Sequence, residues 1–395
     1  TNMNILIIIP KLCNGGIEKI ASNFSQYLPE RYNQFVYSIM SQDSSYDFAV
    51  KPIILNKSLG KTFIGKLITF FYRLHLARKI IRENNIDICI SFGERCNIIN
   101  ILSMGKTKKI ITIHSQLSIE NKTKGLYGKV TTLFSKLLYK NADATVAVSE
   151  IVKKDACGLL NLDANNVELI YNGHDIDYIK DKSTDYKEFD TPVIDFVSVG
   201  RITYAKGHYH LLRSLAIVKE TYPNVILYIV GTYEKDNLKS IIDHLIEKYD
   251  LYDNVIFTGF SDNPYPYIKS AKALILSSIF EGFPGVVIES IALGTPVIAT
   301  DCGGASEVLK SPDAKIKNNT GDVEITKLGV LLPKFDGIYD INLDFSPTEK
   351  KMAQVMNDII SGKLKFNEDF LITKANEYDI DSMMKKYTDL IEKIK

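Results

Sequence analysis

Short runs of β-branched residues alternate with longer amphipathic stretches along most of this 395-residue chain. The runs predict strands in two series, at 4–9, 34–40, 86–91, 109–113 and 144–148, and then at 193–199, 225–230, 254–258, 273–277 and 296–300. Helical periodicity is found at 17–28, 64–83, 126–140, 207–221, 235–249, 285–293, 348–361 and 380–395. This alternation predicts an α/β fold, with parallel sheets that are covered by helices on both faces.

The alternation is interrupted once, by a polar and charged segment at about 175–191 that ends in Pro192. The segment has no clear periodicity, so we interpret it as a linker between two doubly wound domains. A chain of 395 residues is long for one core and suits two. We expect a first domain over 1–175 and a second over 192–375. Ligands of open parallel sheets bind where the strands end, so residues that follow the strands are the candidates for a site.

The five cysteines are far apart and form no C-x-x-C pair. This pattern predicts neither a disulfide framework nor a zinc site, and it favours a reducing, cytoplasmic location. His208 and His210 have a spacing that metal ligands can have, but the sequence places no third ligand nearby. We therefore predict no metal.

The two halves of the chain differ in charge. Residues 1–180 carry 23 Lys and Arg against 15 Asp and Glu, whereas the remainder carries 25 against 32. If 122–140 is helical, one face has Lys122, Lys129, Lys136 and Lys140 beside Leu126, Val130, Leu133 and Leu137. Such a helix suits an anionic membrane surface, and it equally suits a core helix with a solvated flank. Nucleic acid fits less well, because the chain has no recognisable RNA-binding or DNA-reading motif.

Segment 273–309 predicts a strand, a loop rich in glycine and proline, and a helix that begins near Gly285. Glu281 precedes that helix, and Glu289 stands just over one turn inside it. The first helical turn can hold an anion, and a carboxylate there can accept two hydrogen bonds from a ribose diol. Taken alone, two glutamates at this spacing are explained more simply as offsetting the helix dipole.

The pattern Glu281-x7-Glu289, followed by Gly294-Thr-Pro-Val-Ile-Ala-Thr, resembles the motif of retaining glycosyltransferase family 4, whose members have the GT-B fold. Further matches follow in chain order: Gly15-Gly16, Val148-Ser149-Glu150, Asn172-Gly173 before Asp175, and Gly200-Arg201 followed by Lys206-Gly207. Pro284 stands where many members have glycine, a difference that bears on the donor sugar. The resemblance implies two Rossmann-like domains that face a cleft, with the final helix, at about 376–395, packed on the first domain.

The resemblance also implies roles for single residues. Four are expected to be catalytic: Glu281 beside the donor sugar, His114 in contact with the transferred sugar, and Arg201 and Lys206 on the diphosphate. The other expected donor-binding residues are Gly15, Gly16, Gly200, Gly231, Thr232, Gly259, Phe260, Gly282, Phe283, Pro284, Gly285, Val286 and the ribose-binding Glu289. Glu94 is the candidate on the acceptor side. Without the resemblance, a lone histidine and two loop cations are more often structural or solvated.

The implied reaction moves a hexose or N-acetylhexosamine from a nucleotide diphosphate sugar to a glycan, with retained anomeric configuration. UDP is favoured as the commonest nucleotide of the family, and neither a cofactor nor a metal is expected. A more specific hypothesis is a lipid-linked acceptor in cell-surface polysaccharide or glycan biosynthesis, with the protein bound peripherally at the inner face of the membrane. Two alternatives remain, a nucleotide-sugar 2-epimerase of the same fold and a non-catalytic nucleotide-sugar binding module.

Overall fold

The computed structural model describes residues 2–12, 15–40, 46–55, 60, 62–103, 105–185, 193–234, 237–316 and 321–395. The chain forms two compact units, one of Thr1–Gly173 with Ile380–Lys395 and one of His174–Asp379. Pro192, where we expect the linker to end, and the first two residues of the helix expected at 235–249 lie outside the described residues.

The first unit is built on a parallel sheet. Its strands are β1 (Met3–Ile9), β2 (Tyr32–Ser38), β3 (Ile53–Ile54), β4 (Ile88–Phe92), β5 (Lys108–Ile113), β6 (Ala144–Ala147) and β7 (Val167–Leu169). They lie in the order β3-β2-β1-β4-β5-β6-β7. Its first helices are α1 (Gly16–Tyr27), α2 (Phe63–Glu83), α3 (Glu94–Leu102), α4 (Leu117–Thr123), α5 (Gly125–Leu138) and α6 (Glu150–Leu160).

The second unit has a sheet of the same kind. Its helices are α7 (Ile176–Lys182), α8 (His208–Thr221), α9 (Leu238–Lys248), α10 (Tyr265–Ser270), α11 (Gly285–Ala292), α12 (Ala305–Leu309), α13 (Pro347–Ile360) and α14 (Glu368–Ala375). Its strands are β8 (Ile194–Val199), β9 (Leu227–Val230), β10 (Val255–Gly259), β11 (Ala271–Leu276), β12 (Val297–Thr300), β13 (Glu324–Ile325) and β14 (Gly329–Leu332). The strand order is β10-β9-β8-β11-β12-β14-β13, and only the β13–β14 pair in the described residues is antiparallel. The last helix, α15 (Ile380–Ile394), belongs to the first unit, where it packs on α1.

Each sheet has one point at which the chain reverses its direction of winding. In the first unit the chain passes from β1 outward to β3 and returns to β4 on the other side of β1. In the second unit it passes from β8 outward to β10 and returns to β11 on the other side of β8. Loops after the two central strands diverge at such a switch point and leave a crevice, which is where doubly wound sheets bind ligands.

Burial of both faces explains the apolar sequence of the central strands. Ile5, Ile7 and Ile9 of β1 pack with helices α1 and α15, and the alternate residues Leu6 and Ile8 pack with α2. All five side chains are fully buried. Because both faces of such a strand are buried, its apolar residues do not alternate with polar ones, and its sequence is a continuous apolar run.

The structure contains all ten predicted strands and adds the short strands β3, β7, β13 and β14. The segment that we interpret as an irregular linker contains α7, so that interpretation is wrong for 176–182. Asp175 caps this helix, because its carboxylate accepts a 3.0 Å hydrogen bond from the backbone N–H of Tyr178. Helix α7 then packs against α10 and α11 within the second unit.

The apolar face of helix α5 is not buried in a core, so the alternative of a core helix with a solvated flank is wrong. Leu126, Val130, Leu133 and Leu137 are all exposed. A separate helix, α4, precedes α5, and the two are divided at Lys124. None of the described helices is both long and apolar enough to cross a bilayer.

Candidate functional site

Two loops meet at the switch point of the second sheet: the β8 loop (residues 200–207) and the β11 loop (residues 277–284). The Ser277 hydroxyl donates a 2.8 Å hydrogen bond to the carbonyl of Lys206, and the N–H of Ile279 donates a 2.7 Å bond to the carbonyl of Ala205. Gly207 makes this approach possible. Its φ is 66°, and a Cβ there would overlap the carbonyl oxygen of Ser277.

An ion pair joins the same two loops. The Lys206 ammonium contacts Oε1 of Glu281, and that oxygen also accepts a 2.8 Å hydrogen bond from the Ser278 hydroxyl. The Lys206 side chain is 27% exposed and the Glu281 side chain 13% exposed. The structure therefore brings two of the predicted catalytic residues together. They form a partly buried pair of opposite charges at the end of β8 and β11.

A third loop, the β12 loop (residues 301–304), fixes the backbone at Glu281 and Gly282 by two hydrogen bonds. The N–H of Glu281 donates a 2.7 Å bond to the carbonyl of Cys302, and the N–H of Gly304 donates a 2.9 Å bond to the carbonyl of Gly282. Burial raises the pKa of the Cys302 thiol to about 12, and the charge of Glu281 adds to the rise. The thiol is therefore neutral at physiological pH, so it does not compete with Glu281 for the Lys206 ammonium.

The predicted donor residues after Glu281 form the start of α11. Gly282, Phe283 and Pro284 are buried, and the Phe283 ring lies 5.8 Å from the Tyr378 ring. Gly285 and Val286 are partly exposed in the first turn of the helix. The buried residues therefore fix the position of the helix start, and the first turn is the part that remains accessible. Glu289 is buried in the next turn.

Arg201 is separate from the Lys206–Glu281 pair. Its exposed guanidinium forms an ion pair with Glu234, a residue that the sequence does not single out. Exposed ion pairs of this kind contribute about 0–1 kcal/mol. A phosphate group could therefore displace Glu234 at little cost.

The ends of three neighbouring strands carry glycines expected to bind the donor, and two of them, Gly231 and Gly259, are expected near the base. The N–H of Gly231 donates a 2.9 Å bond to the carbonyl of Gly259, and a Cβ on Gly231 would overlap the carbonyl oxygen of Gly200. Thr232 and Phe260, which follow, are exposed. The backbones of the strand ends are thus tightly packed, and the side chains beyond them are open to a ligand.

In the first unit, Gly15 and Gly16 begin helix α1, at the end of β1. The carboxylate of Glu18, a buried residue not singled out in the sequence, occupies the space that a Cβ on Gly15 would fill. A carboxylate in the first turn offsets the positive end of the helix dipole. A side chain at position 15 would therefore displace the Glu18 carboxylate from this place.

His114 follows β5 and is held by its neighbours. Its Nε2 lies 2.7 Å from the Thr112 hydroxyl, and its ring centre lies 5.9 Å from that of Phe92. Burial lowers the pKa of His114 to about 4, so the imidazole is neutral at physiological pH. A neutral imidazole can hydrogen-bond a sugar hydroxyl without adding a charge.

Glu94 follows β4 and accepts a hydrogen bond from the Tyr139 hydroxyl. Burial raises the pKa of Glu94 to about 8, although the bond from Tyr139 opposes this rise. Tyr139 also accepts a 3.3 Å hydrogen bond from the Asn97 side chain. Strands β4 and β5 are adjacent, so Glu94 and His114 lie at the same edge of the sheet. Because its pKa is raised, the carboxyl of Glu94 is mostly protonated at neutral pH.

Glu94→Gln is expected to make the protein more stable at high pH relative to the wild type. A carboxyl whose pKa is raised on folding binds more protons in the folded state, so its contribution to stability falls as the pH rises from about 4.5 to about 8. Glutamine mimics the protonated form and removes this loss. Urea unfolding at about pH 5 and about pH 8 measures the effect. The exposed Glu30→Gln is the control, and a Glu94→Gln difference that does not change with pH would contradict the prediction.

The described residues contain no group of three or more His, Cys, Asp or Glu side chains that could hold a metal ion. His210 instead stacks on Phe335, with 4.4 Å between ring centres, and lies 3.6 Å from Glu349. Glu349 forms a 2.7 Å ion pair with Arg213. These residues join α8 to α13 and have a packing role.

Two family profiles match the chain in succession. The profile described as Glycosyltransferase Family 4 matches residues 14–178, and the profile described as Glycosyl transferases group 1 matches residues 179–323. An uncharacterized glycosyltransferase of Methanocaldococcus jannaschii is 30% identical over 81% of this chain and 82% of that protein. A Campylobacter jejuni protein is 27% identical over 75% of this chain and 80% of that protein. It is named N-acetylgalactosamine-N,N'-diacetylbacillosaminyl-diphospho-undecaprenol 4-alpha-N-acetylgalactosaminyltransferase.

Solved structures show the same fold. HepE of Anabaena, crystallised with UDP and glucose, superposes with a TM-score of 0.74 at 17% identity and covers 99% of each chain. The predicted two-domain GT-B fold is confirmed. The two profiles and the extended identity with the M. jannaschii protein establish that this chain is a glycosyltransferase and belongs to the group 1 glycosyltransferases.

Proposed function

We propose that this glycosyltransferase transfers a hexose or N-acetylhexosamine from a UDP-sugar to a lipid-linked glycan, with retained anomeric configuration, in cell-surface polysaccharide or glycan biosynthesis. The Lys206–Glu281 pair is the observation that carries the proposal. It places a cation suited to a leaving diphosphate beside a carboxylate suited to sugar hydroxyls. The pair lies at the switch point of the second sheet, where doubly wound sheets bind ligands.

The donor would bind to the second unit. Lys206 and Arg201 would hold the diphosphate, with Arg201 leaving Glu234 for the stronger, bidentate bonding that phosphate offers. Glu289 would accept hydrogen bonds from the ribose, and the base would lie near Gly231, Thr232, Gly259 and Phe260. The UDP bound in the HepE structure supports the choice of nucleotide.

The proposed reaction is a displacement on the face from which the phosphate leaves. The acceptor oxygen forms a bond to the anomeric carbon while the bond from that carbon to the phosphate oxygen breaks, and the departing phosphate accepts the acceptor's proton. Lys206, Arg201 and the first turn of α11 would stabilise the negative charge of the leaving group. His114, which is neutral, can hydrogen-bond the transferred sugar.

The name of the C. jejuni relative describes a sugar acceptor linked to diphospho-undecaprenol and the transfer of N-acetylgalactosamine. This supports a lipid-linked acceptor and an N-acetylhexosamine donor for the present chain. Glu94, which follows β4 in the first unit and is held by the buried Tyr139, would contact the acceptor. A carboxyl that is protonated at neutral pH can donate a hydrogen bond to a sugar hydroxyl as well as accept one.

The donor site is tested by calorimetric titration of UDP, GDP and ADP without divalent metal. We expect UDP to bind most tightly, and the Arg201→Ala/Lys206→Ala variant to bind it at least about a hundredfold more weakly, because each charged hydrogen bond is worth about 1.5–3 kcal/mol. Lys239→Ala/Lys269→Ala, which removes two exposed cations of the same unit, is the control. Binding of none of the nucleotides, or equal binding by both proteins, would contradict the proposed site.

The reaction itself is tested with UDP-N-acetylgalactosamine and a synthetic glycan on a diphospho-polyprenol. We expect a product whose new bond has the α configuration of the donor, as read from the anomeric coupling constant in its NMR spectrum. A β product would contradict retention. A 2-epimer formed from the donor without acceptor would show the alternative activity, and binding with neither product would identify a non-catalytic module.

A further inference from the structure

Helices α2 and α5 carry more than half of the exposed large hydrophobic side chains in the described part of the chain. On α2 they are Phe63, Ile64, Leu67, Ile68, Phe71 and Tyr72, and Phe63 is 81% exposed. They lie within the first ten residues of the helix and, at about 100° per residue, span about half of its circumference. Gly65 and Thr69, on the opposite side of this segment, are buried. A helix at the surface normally buries its apolar face, whereas this segment leaves its large apolar side chains exposed.

Helix α5 buries small residues and exposes its large apolar residues. Its buried residues are the small Gly128 and Ser135. Its exposed residues include Leu126, Tyr127, Val130, Leu133, Phe134 and Leu137, of which Leu126 is 78% exposed. Gly128 allows a close approach to α4, because a Cβ there would overlap the carbonyl of Asn121. The fold thus packs α5 by its small residues and leaves its large apolar side chains outside.

The two helices belong to one surface, which we call the α2–α5 patch and define by the twelve exposed apolar residues above. Both helices pack on α3. Burial lowers the pKa of Arg73 on α2, nearby Arg95 at the start of α3 lowers it further, and the phenol of Tyr127 on α5 acts in the opposite direction. Arg73 is therefore close to both α3 and the start of α5.

The charges around the patch have one predominant sign. Lys66, Lys122, Lys129, Lys136 and Lys140 are exposed on or beside the two helices. Residues 56–82 include no acid, and Glu120 is the only acid in 105–141. Its carboxylate is paired with Lys124 at 2.6 Å. An apolar surface with a basic border is complementary to an anionic bilayer, whereas two copies of it would repel each other.

We infer that the α2–α5 patch is a membrane-docking surface that inserts its apolar side chains into an anionic bilayer and binds lipid headgroups through its lysines. The inference deepens the proposed function, since a lipid-linked acceptor has its polyprenol in that bilayer. Helix α5 leads directly into Tyr139, which contacts Glu94, and α4 begins three residues after His114. Within the first unit, docking would therefore bring the acceptor-side residues close to the headgroups.

Flotation with vesicles of equal parts phosphatidylcholine and phosphatidylglycerol tests the inference. We expect the wild type to float with these vesicles and to bind pure phosphatidylcholine about tenfold more weakly, since each near-surface cation adds to the attraction. Leu133→Glu/Phe134→Glu should lower the partition coefficient about a hundredfold or more, because it removes two inserting side chains and adds two charges of the wrong sign. Ile338→Glu/Leu343→Glu, which changes two exposed apolar residues of the second unit, should float as the wild type does.

A second variant, Lys129→Glu/Lys136→Glu, leaves the apolar residues in place and should weaken binding to the anionic vesicles only. A wild type that does not float, or patch variants that float equally well, would overturn the inference. So would a wild-type dimer, seen by light scattering, that the Leu133→Glu/Phe134→Glu change converts to monomers without vesicle binding. Titration of each variant with UDP separates the two proposals, since flotation without UDP binding would contradict the proposed function and leave the docking surface intact.

Discussion

Glu281→Gln is expected to lower kcat by about 100- to 1,000-fold, while the affinity for UDP changes less than about threefold. Glutamine keeps the size of the side chain and can still accept a hydrogen bond from Ser278, but it removes the negative charge that fixes the Lys206 ammonium. The charge that develops on the leaving phosphate would then face a cation without a fixed position. Loss of one preorganised electrostatic contact to a transition state has an effect of this size.

Steady-state kinetics with the lipid-linked acceptor and calorimetry with UDP measure the two quantities. Glu220→Gln, on the exposed face of α8, makes the same chemical change in the same unit and should leave both unchanged. If Glu281→Gln weakens UDP binding as much as it slows turnover, Glu281 serves the nucleotide and not the transfer step. Turnover at the wild-type rate would remove Glu281 from the mechanism.

The sequence predicts the strands well where burial on both faces makes them long apolar runs. Ile5 to Ile9 of β1 is such a run, and every strand of this kind is found in the structure. The two-residue strands Ile53–Ile54 and Glu324–Ile325 are too short to show a periodic pattern of apolar residues. They form because an adjacent strand offers hydrogen bonds. Their formation depends on tertiary contacts that a local pattern does not contain.

The same distinction applies to the site. Lys206 and Glu281 each follow a predicted strand, so their approach could be expected once β8 and β11 were placed side by side in the sheet. Glu234 and Tyr139 could not be expected, because the side chain of each contacts a partner that is distant in sequence. No spacing rule connects Tyr139 with Glu94, 45 residues earlier.

Helix α5 shows a limit of amphipathic patterns. The sequence shows a stripe of leucines beside a stripe of lysines, and it leaves the buried side of the helix undecided. The structure buries Gly128 and Ser135, which have too little apolar area to mark a core face. A pattern can therefore identify the two faces of a helix without saying which of them the fold covers.

Lys206→Met is expected to weaken UDP binding about 10- to 100-fold and to lower kcat about a hundredfold or more. The ammonium is the part of the Lys206–Glu281 pair that can bond to the diphosphate, and a charged hydrogen bond contributes about 1.5–3 kcal/mol. Unlike Glu281→Gln, this change should act on both the bound nucleotide and the transition state. Lys269→Met, on the exposed surface of α10, is the matched control.

The same variant should also lower the free energy of unfolding by about 1–3 kcal/mol, because it leaves the carboxylate of Glu281, which is 13% exposed, without its ammonium partner. The double variant Lys206→Met/Glu281→Gln removes that unpaired charge, so we expect it to regain most of the stability and none of the UDP affinity. Recovery of both would mean that Lys206 acts only by stabilising the β8 and β11 loops. Recovery of stability alone would separate the two roles of the ammonium, which holds the loops together in the free protein and would bind the diphosphate when the donor is present.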